Sequence, residues 1–170
     1  MEKVLLIDGN SLVYRAYFAL READMRTSAG QSTGAIHGFS SMLINLIKDQ
    51  KPDGIAVAFD LPTPTFRHKK IPTYKAGREK APDELYEQLE LIKNVLPDLG
   101  IHVVEKEGFE ADDILATLAS QTRDVSAQVI VVTGDRDSYQ LVEDPYIQVL
   151  YNKRGVSDYV LYDEAGIKDR

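Results

Sequence analysis

The stretch VIVVTGDRDSYQLVED, Val129 to Asp144, decides how the whole chain is read. Its apolar run ends in Thr133-Gly134, and two aspartates follow, Asp135 and Asp137. A short, continuous apolar run bounded by a Gly turn signal reads as a strand buried on both faces. The Asp-x-Asp after it has two readings. Asp135 can cap the short helix DSYQLV, or the two acids can be half of a metal site.

Working outward, the same grammar repeats. Val4 to Ile7 is another buried strand ending at Asp8, and a helix follows over Asn10 to Leu20, with Asn10 or Ser11 as its cap. Ile36, Phe39, Leu43 and Leu46 mark one face of a helix over roughly 34–49. GIAVAF (54–59) is a strand ending at Asp60. Leu85, Leu89, Ile92 and Leu96 form a helical stripe stopped by Pro97 and Gly100. IHVV (101–104) is a third strand, and Ala111 to Gln121 a helix. IQVLY (147–151) and DYVLY (158–162) pair around a turn at Arg154-Gly155. Strands alternating with helices predict an α/β fold: a central, mostly parallel sheet with helices on both faces, three layers in all.

The chain has 170 residues, enough for one compact domain with a real core. Its 44% hydrophobic and 28% charged residues are ordinary for a globular protein. There is no cysteine, which excludes a disulfide framework and thiolate metal sites and suits a reducing compartment. The N-terminus lacks a signal-peptide apolar core, and no run approaches a membrane span. The expectation is a cytoplasmic, non-membrane protein.

Three strands end in acid: Asp8, Asp60, and Asp135 with Asp137. The segment FEADDIL adds Glu110, Asp112 and Asp113 just after the IHVV strand. In open α/β sheets ligands bind beyond the carboxyl ends of the strands, so these seven acids are expected on one rim. Two carboxylates about 5 Å apart repel by roughly 3 kcal/mol at an effective dielectric of about 20. Such a cluster calls for cations. Oxygen ligands without Cys, and without His in the acidic motifs, point to Mg²⁺ or Mn²⁺ rather than zinc. Paired hard cations suit hydrolysis of phosphate esters. No GxxxxGK[ST] cradle is present, which argues against nucleoside triphosphate hydrolysis. His37, His68 and His102 are scattered and read as structural or surface residues.

The net charge is −7, yet RHKKIPTYKAGREK, Arg67 to Lys80, holds six basic residues and one acid. That local +5 leaves −12 for the remainder. The basic run lies inside Leu61 to Ala81, which has no consistent periodicity and is set among prolines. A loop of that length inside a compact domain reads as functional. Arg67, Lys69 and Lys70 are candidate phosphate contacts, and Tyr74 and Tyr14 are candidate stacking platforms for unpaired bases. Lys75 and Arg78 are spaced i, i+3, so one helical turn places both on one face toward a phosphate.

The motifs LLIDGNSLVYRAYFAL, AVAFDLPTPTFRHKKIPTYKAGR, GFEADDILATLA and VVTGDRDSYQLV together resemble the 5′-nuclease (5′→3′ exonuclease, flap endonuclease) domain of bacterial DNA polymerase I and its stand-alone relatives. The resemblance covers essentially the whole chain, in order. It implies a PIN-like, Rossmann-like domain over 1–170 with a basic helical arch at about 61–82. It further implies two divalent ions, DNA with a 5′ flap or single-strand/duplex junction, and RNA primers on DNA as substrates. It places Asp8, Asp60, Glu110 and Asp112 at the more tightly held ion, and Asp113, Asp135 and Asp137 nearer the second. Lys75 and Arg78 match residues at the base of the arch that contact the scissile phosphate, and Tyr14 and Arg15 match positions near the substrate path. A monomer, nucleoid-associated in a bacterial cytoplasm and fused or not to a polymerase, is the corresponding expectation. Family members continue into a helix–hairpin–helix type DNA-binding module, whereas this sequence stops at YDEAGIKDR. A truncated module, and a second ion site short of ligands, is therefore expected.

Two other enzyme classes use strand-end acids. A haloacid-dehalogenase-type phosphatase needs a second Asp two residues after the first, and here that position is Asn10. A topoisomerase–primase fold should end its first strand in Glu, and here it is Asp8. The non-enzymatic alternative is a scaffold of the same fold that binds branched DNA without cutting it.

Overall fold

The computed structural model describes residues 1–77 and 79–169. Among these, six strands form one sheet: β1 (Lys3–Asp8), β2 (Gly54–Ala58), β3 (His102–Val104), β4 (Gln128–Thr133), β5 (Ile147–Arg154) and β6 (Asp158–Tyr162). Their order is β3-β2-β1-β4-β5-β6, all parallel except β6, which returns antiparallel beside β5. The helices are α1 (Gly9–Leu20), α2 (Gly34–Gln50), α3 (Phe66–Lys70), α4 (Asp83–Val95), α5 (Ala111–Asp124) and α6 (Glu164–Lys168).

The period-2 geometry of a strand explains the layers. Leu5, Ile7, Ile130 and Val132 face one side, where α1, α2 and α4 cover them with Leu12, Phe39, Leu43 and Leu89. Leu6, Val129 and Val131 face the other, where α5 packs with Ile114, Leu115 and Ala119. Each such Leu or Ile contributes roughly 1.5–3 kcal/mol on burial, which is why strands apolar at every position are stable only here, sandwiched between layers. The expected three-layer, mostly parallel α/β architecture is the one observed.

β1 holds the centre. The chain leaves it toward β2 and β3 on one side, then returns through α5 to β4 and β5 on the other. The order in which strands are added therefore reverses between β1 and β4, which run parallel, and this is the switch point where ligand clefts open in such sheets.

Local differences from the sequence reading have identifiable causes. Asp8, not Asn10 or Ser11, caps α1: its Oδ1 accepts the Ser11 N–H at 2.9 Å. The helix can begin immediately because Gly9 lacks a side chain; a Cβ there would sit 2.6 Å from Phe59 Cζ. Asn10 instead accepts the Asp60 N–H at 2.8 Å, tying the first turn of α1 to the chain just beyond β2. In the basic segment α3 is five residues long, and 72–77 form turns. Lys75 has φ +57°, so the expected helical turn through it is not formed. Pro72 and that left-handed residue interrupt any continuous helix. Arg78, the other residue of that expectation, lies outside the described residues.

Candidate active site

A cleft of about 800 Å³ opens at the switch point. Its floor and walls carry Asp8 from the end of β1, Asp60 beyond β2, Glu110 and Asp112 at the start of α5, and Asp135 beyond β4. Lys75 lines the side formed by the basic segment, and Tyr14 and Arg15 come from α1. Five of the seven expected acids thus meet.

Asp8 is the deepest, only 6% exposed. Its Oδ2 accepts the Thr133 hydroxyl at 3.0 Å. Burial, with repulsion from Asp112 and Asp60, pushes this acid up to about 7 against the pull of the Ser11 N–H. Asp112 is reached by solvent through the open mouth, yet partial enclosure and repulsion from Asp135, Asp60 and Glu110 push it up to about 6. Asp60 is oriented by its neighbours: its Oδ1 accepts the Ala111 N–H at 2.7 Å, the first amide of α5.

Glu110 has the opposite balance. Burial pushes it up, but Lys75 Nζ at 2.6 Å, the Tyr74 hydroxyl at 3.1 Å and Arg67 at 3.2 Å outweigh burial and hold it below the usual range. Its charge is therefore kept to lower pH than those of Asp8 and Asp112.

Asp113 and Asp137 stand away from the cleft lining. Asp113 is held by Arg67 in a two-pronged ion pair, 2.7 Å on each prong. Asp137 is exposed on the short helix Arg136–Leu141 and gives its N–H to Asp135 Oδ1 at 2.9 Å. The capping reading of the Asp-x-Asp motif is realised by Asp135, which accepts the Asp137 N–H and also lines the cleft, whereas Asp137 does not. Among the basic-segment residues, Lys69 and Lys70 are exposed. Tyr74 is engaged with Glu110 and edge-on to His68, 5.2 Å between ring centres, rather than offered to solvent as a stacking face.

Four contributors escaped the sequence reading. Thr133 bridges Asp8 and the Asp135 N–H, accepting the latter at 3.0 Å. Ser11 accepts the Gly134 N–H at 2.9 Å. Asn10 fixes Asp60, and Glu79 joins the cleft wall. Small polar residues carry no periodic signal; only their position beside strand-end acids could have marked them.

The donor set is all oxygen and rich in mutually repelling acids, which fits a hard divalent cation. Among the described residues no three acids are gathered closely enough to form a ready-made ion cage. The fit is thus one of charge and donor type, with Glu110 held in reserve by its own cations.

Fold and cleft together define a three-layer α/β domain with an acid-lined cleft at the switch point of its sheet. The chain belongs to the family described as 5′-3′ exonuclease, N-terminal resolvase-like domain, which matches residues 3–170. DNA polymerase I of Mycobacterium bovis is 46% identical over 167 residues, covering 98% of this chain and 18% of that protein. DNA polymerase I of Bacillus subtilis is 39% identical over 169 residues, covering 99% and 19%. The chain therefore spans less than a fifth of the length of these curated relatives. Among solved structures, a bacteriophage T5 flap endonuclease complex with DNA and metal ions matches with a TM-score of 0.70 at 18% identity, over 99% of this chain and 60% of that one. Human GEN1 in complex with Holliday junction DNA matches with a TM-score of 0.55 at 18% identity, over 98% and 39%. At that identity the structural likeness speaks to the fold.

Proposed function

We propose that this domain is a structure-specific 5′ nuclease, a 5′→3′ exonuclease and flap endonuclease, that hydrolyses phosphodiester bonds in DNA or RNA–DNA at single-strand/duplex junctions. The observation that carries it is the meeting of Asp8, Asp60, Glu110, Asp112 and Asp135 in one cleft with Lys75 on its wall. The relatives named DNA polymerase I, and the neighbours described with flap-endonuclease activity, DNA and metal ions, support the same reading.

Two divalent ions, Mg²⁺ or Mn²⁺, are the proposed cofactors. Asp8, Asp60, Glu110 and Asp112 would hold one and Asp135 would face the other. When bound, such ions supply Lewis-acid stabilisation of an in-line displacement at phosphorus. The chain's own residues do the rest. Lys75 moves from Glu110 onto a phosphate oxygen, where its ammonium meets the charge that grows in the transition state. Arg78 is proposed beside it from the motif alone. Tyr14 and Arg15, from α1, line the same cleft and guide the strand, and Lys69 and Lys70 offer exposed charge to the backbone. Thr133, Ser11 and Asn10 keep the acids oriented.

The test is cleavage of a 5′-labelled flap by the intact protein with Mg²⁺, Mn²⁺ or EDTA, and by Asp60→Ala. Metal-dependent cutting at the junction, lost in Asp60→Ala, is expected. Cutting that survives EDTA would sink the mechanism. Tight flap binding without cutting would mean a scaffold, and release of inorganic phosphate from small monoesters would mean a phosphatase.

A further inference from the structure

The basic segment is pinned to the acid-bearing helix by a fork. Arg67, in α3, sets Nη1 2.7 Å from Asp113 Oδ2 and Nη2 2.7 Å from Asp113 Oδ1. Nη1 also reaches Glu110 Oε2 at 3.2 Å. Asp113 accepts the Glu110 N–H at 3.0 Å, so the fork grips the first turn of α5 through side chain and backbone alike. Just before Arg67, the Phe66 N–H donates to the Gly108 carbonyl at 3.0 Å, and the Phe66 ring leans on Phe109 with centres 5.8 Å apart. The guanidinium lies over that same Phe66 ring, 4.6 Å from its centre.

We propose that Arg67 and Asp113 are positioning residues: together they fasten the basic segment to the start of α5, presenting Glu110 and Lys75 to the cleft, and neither touches DNA or a metal ion. Three observations carry this. Both oxygens of Asp113 are already engaged, in a bidentate, charge-assisted pair roughly twice as strong as neutral hydrogen bonds. Asp112 lines the cleft and Asp113, turned about 100° around the helix from it, does not. Both ends of the Arg67 fork and one face of its plane are occupied by protein, whereas Lys69 and Lys70 of the same helix are exposed. The mutual pairing also raises Arg67 and lowers Asp113, as expected of two charges that hold each other.

The consequence for turnover rests on the nuclease reading. The fastening itself does not. In the intact protein, Arg67→Ala and Asp113→Asn should each lower kcat on a flap by about 10–100-fold, the range seen when groups that orient a metal site are removed. KM for the flap should stay within about twofold, and the double variant should fall no further than either single one. A raised KM with unchanged kcat for Arg67→Ala would make it a phosphate contact and overturn the proposal. Fewer bound Mn²⁺ ions for Asp113→Asn, counted by electron paramagnetic resonance, with no loss for Arg67→Ala, would make Asp113 a ligand and overturn it equally. Hydrogen exchange decides the fastening without any activity. Protection of the Glu110 amide should drop in both variants, while amides late in α5, such as Ala119, stay protected and certify the fold. Retained protection at Glu110 would overturn the fastening, even if no DNA is ever cut.

Discussion

Thr133 and Asp8 stand 125 positions apart in the chain and 3.0 Å apart in the fold, the hydroxyl of one donating to the buried carboxylate of the other. The same hydroxyl accepts the Asp135 N–H, so one side chain ties the ends of β1 and β4 together and orients two acids of the cleft. Thr133→Val should leave Asp8 short of a donor and an amide without a partner. The expected loss is about 1–3 kcal/mol in urea unfolding, with weaker binding of Mn²⁺ by calorimetry.

The acids predict an inverted pH dependence. Asp8 is raised from 3.8 to about 7 and Asp112 from 3.8 to about 6, so the folded domain binds protons that the unfolded chain has already lost. Stability therefore falls as pH rises from about 4 to about 7, by at most ~4 kcal/mol for Asp8. Glu110 and Asp113 are held low, so their contribution is lost only on acidification below the ordinary carboxylate range. Thermal unfolding in EDTA should show a higher Tm at pH 5.5 than at pH 8. Adding Mg²⁺ or Mn²⁺ should raise Tm more at pH 8 and narrow the gap. A Tm that climbs with pH in EDTA would refute the electrostatic account of the cleft.

Gln88 is 1% exposed within the apolar stripe of α4. Its Oε1 accepts the N–H groups of Ala35 and Ile36 at 2.8 and 3.2 Å, capping α2, whose own cap residue Thr33 makes no side-chain bond. Gln88→Leu should strand one buried and one half-buried amide and cost about 1–3 kcal/mol in chemical unfolding, against a small gain for a surface Gln→Leu control.

Gly9 is the residue that lets α1 start against Phe59. A Cβ there would lie 2.6–2.7 Å from Phe59 Cζ and Cδ1, inside the core where the ring has nowhere to go. Gly9→Ala should cost about 1–3 kcal/mol by overpacking, although alanine is the better helix former. A neutral or stabilising result in urea unfolding would refute the close approach.

The strands and the long helices were legible in the sequence because a strand buried on both faces must be apolar at every position, and a half-buried helix must be apolar every three to four. QVIVVT and the Leu85–Leu96 stripe satisfy those demands locally, without reference to the rest of the chain. The strand-end placement of Asp8, Asp60 and Asp135 was legible for the same reason: a charge directly after such a run has only the rim to occupy. The resemblance of four motifs to one family added the candidate roles.

Whether Asp112 or Asp113 faces the cleft was not legible, because acidic neighbours at the start of a helix look alike until a partner 46 positions away selects one, as Arg67 does. The same holds for Lys75, whose left-handed backbone replaced an expected helical turn and whose ammonium found Glu110 35 positions on. Which segments are buried and where the acids emerge follows from apolar periodicity and chain order, which act through local pattern. Which acids share the cleft and which pair with Arg67 depends on long-range meeting of charges, whose energies exist only once the fold has brought them within a few ångströms.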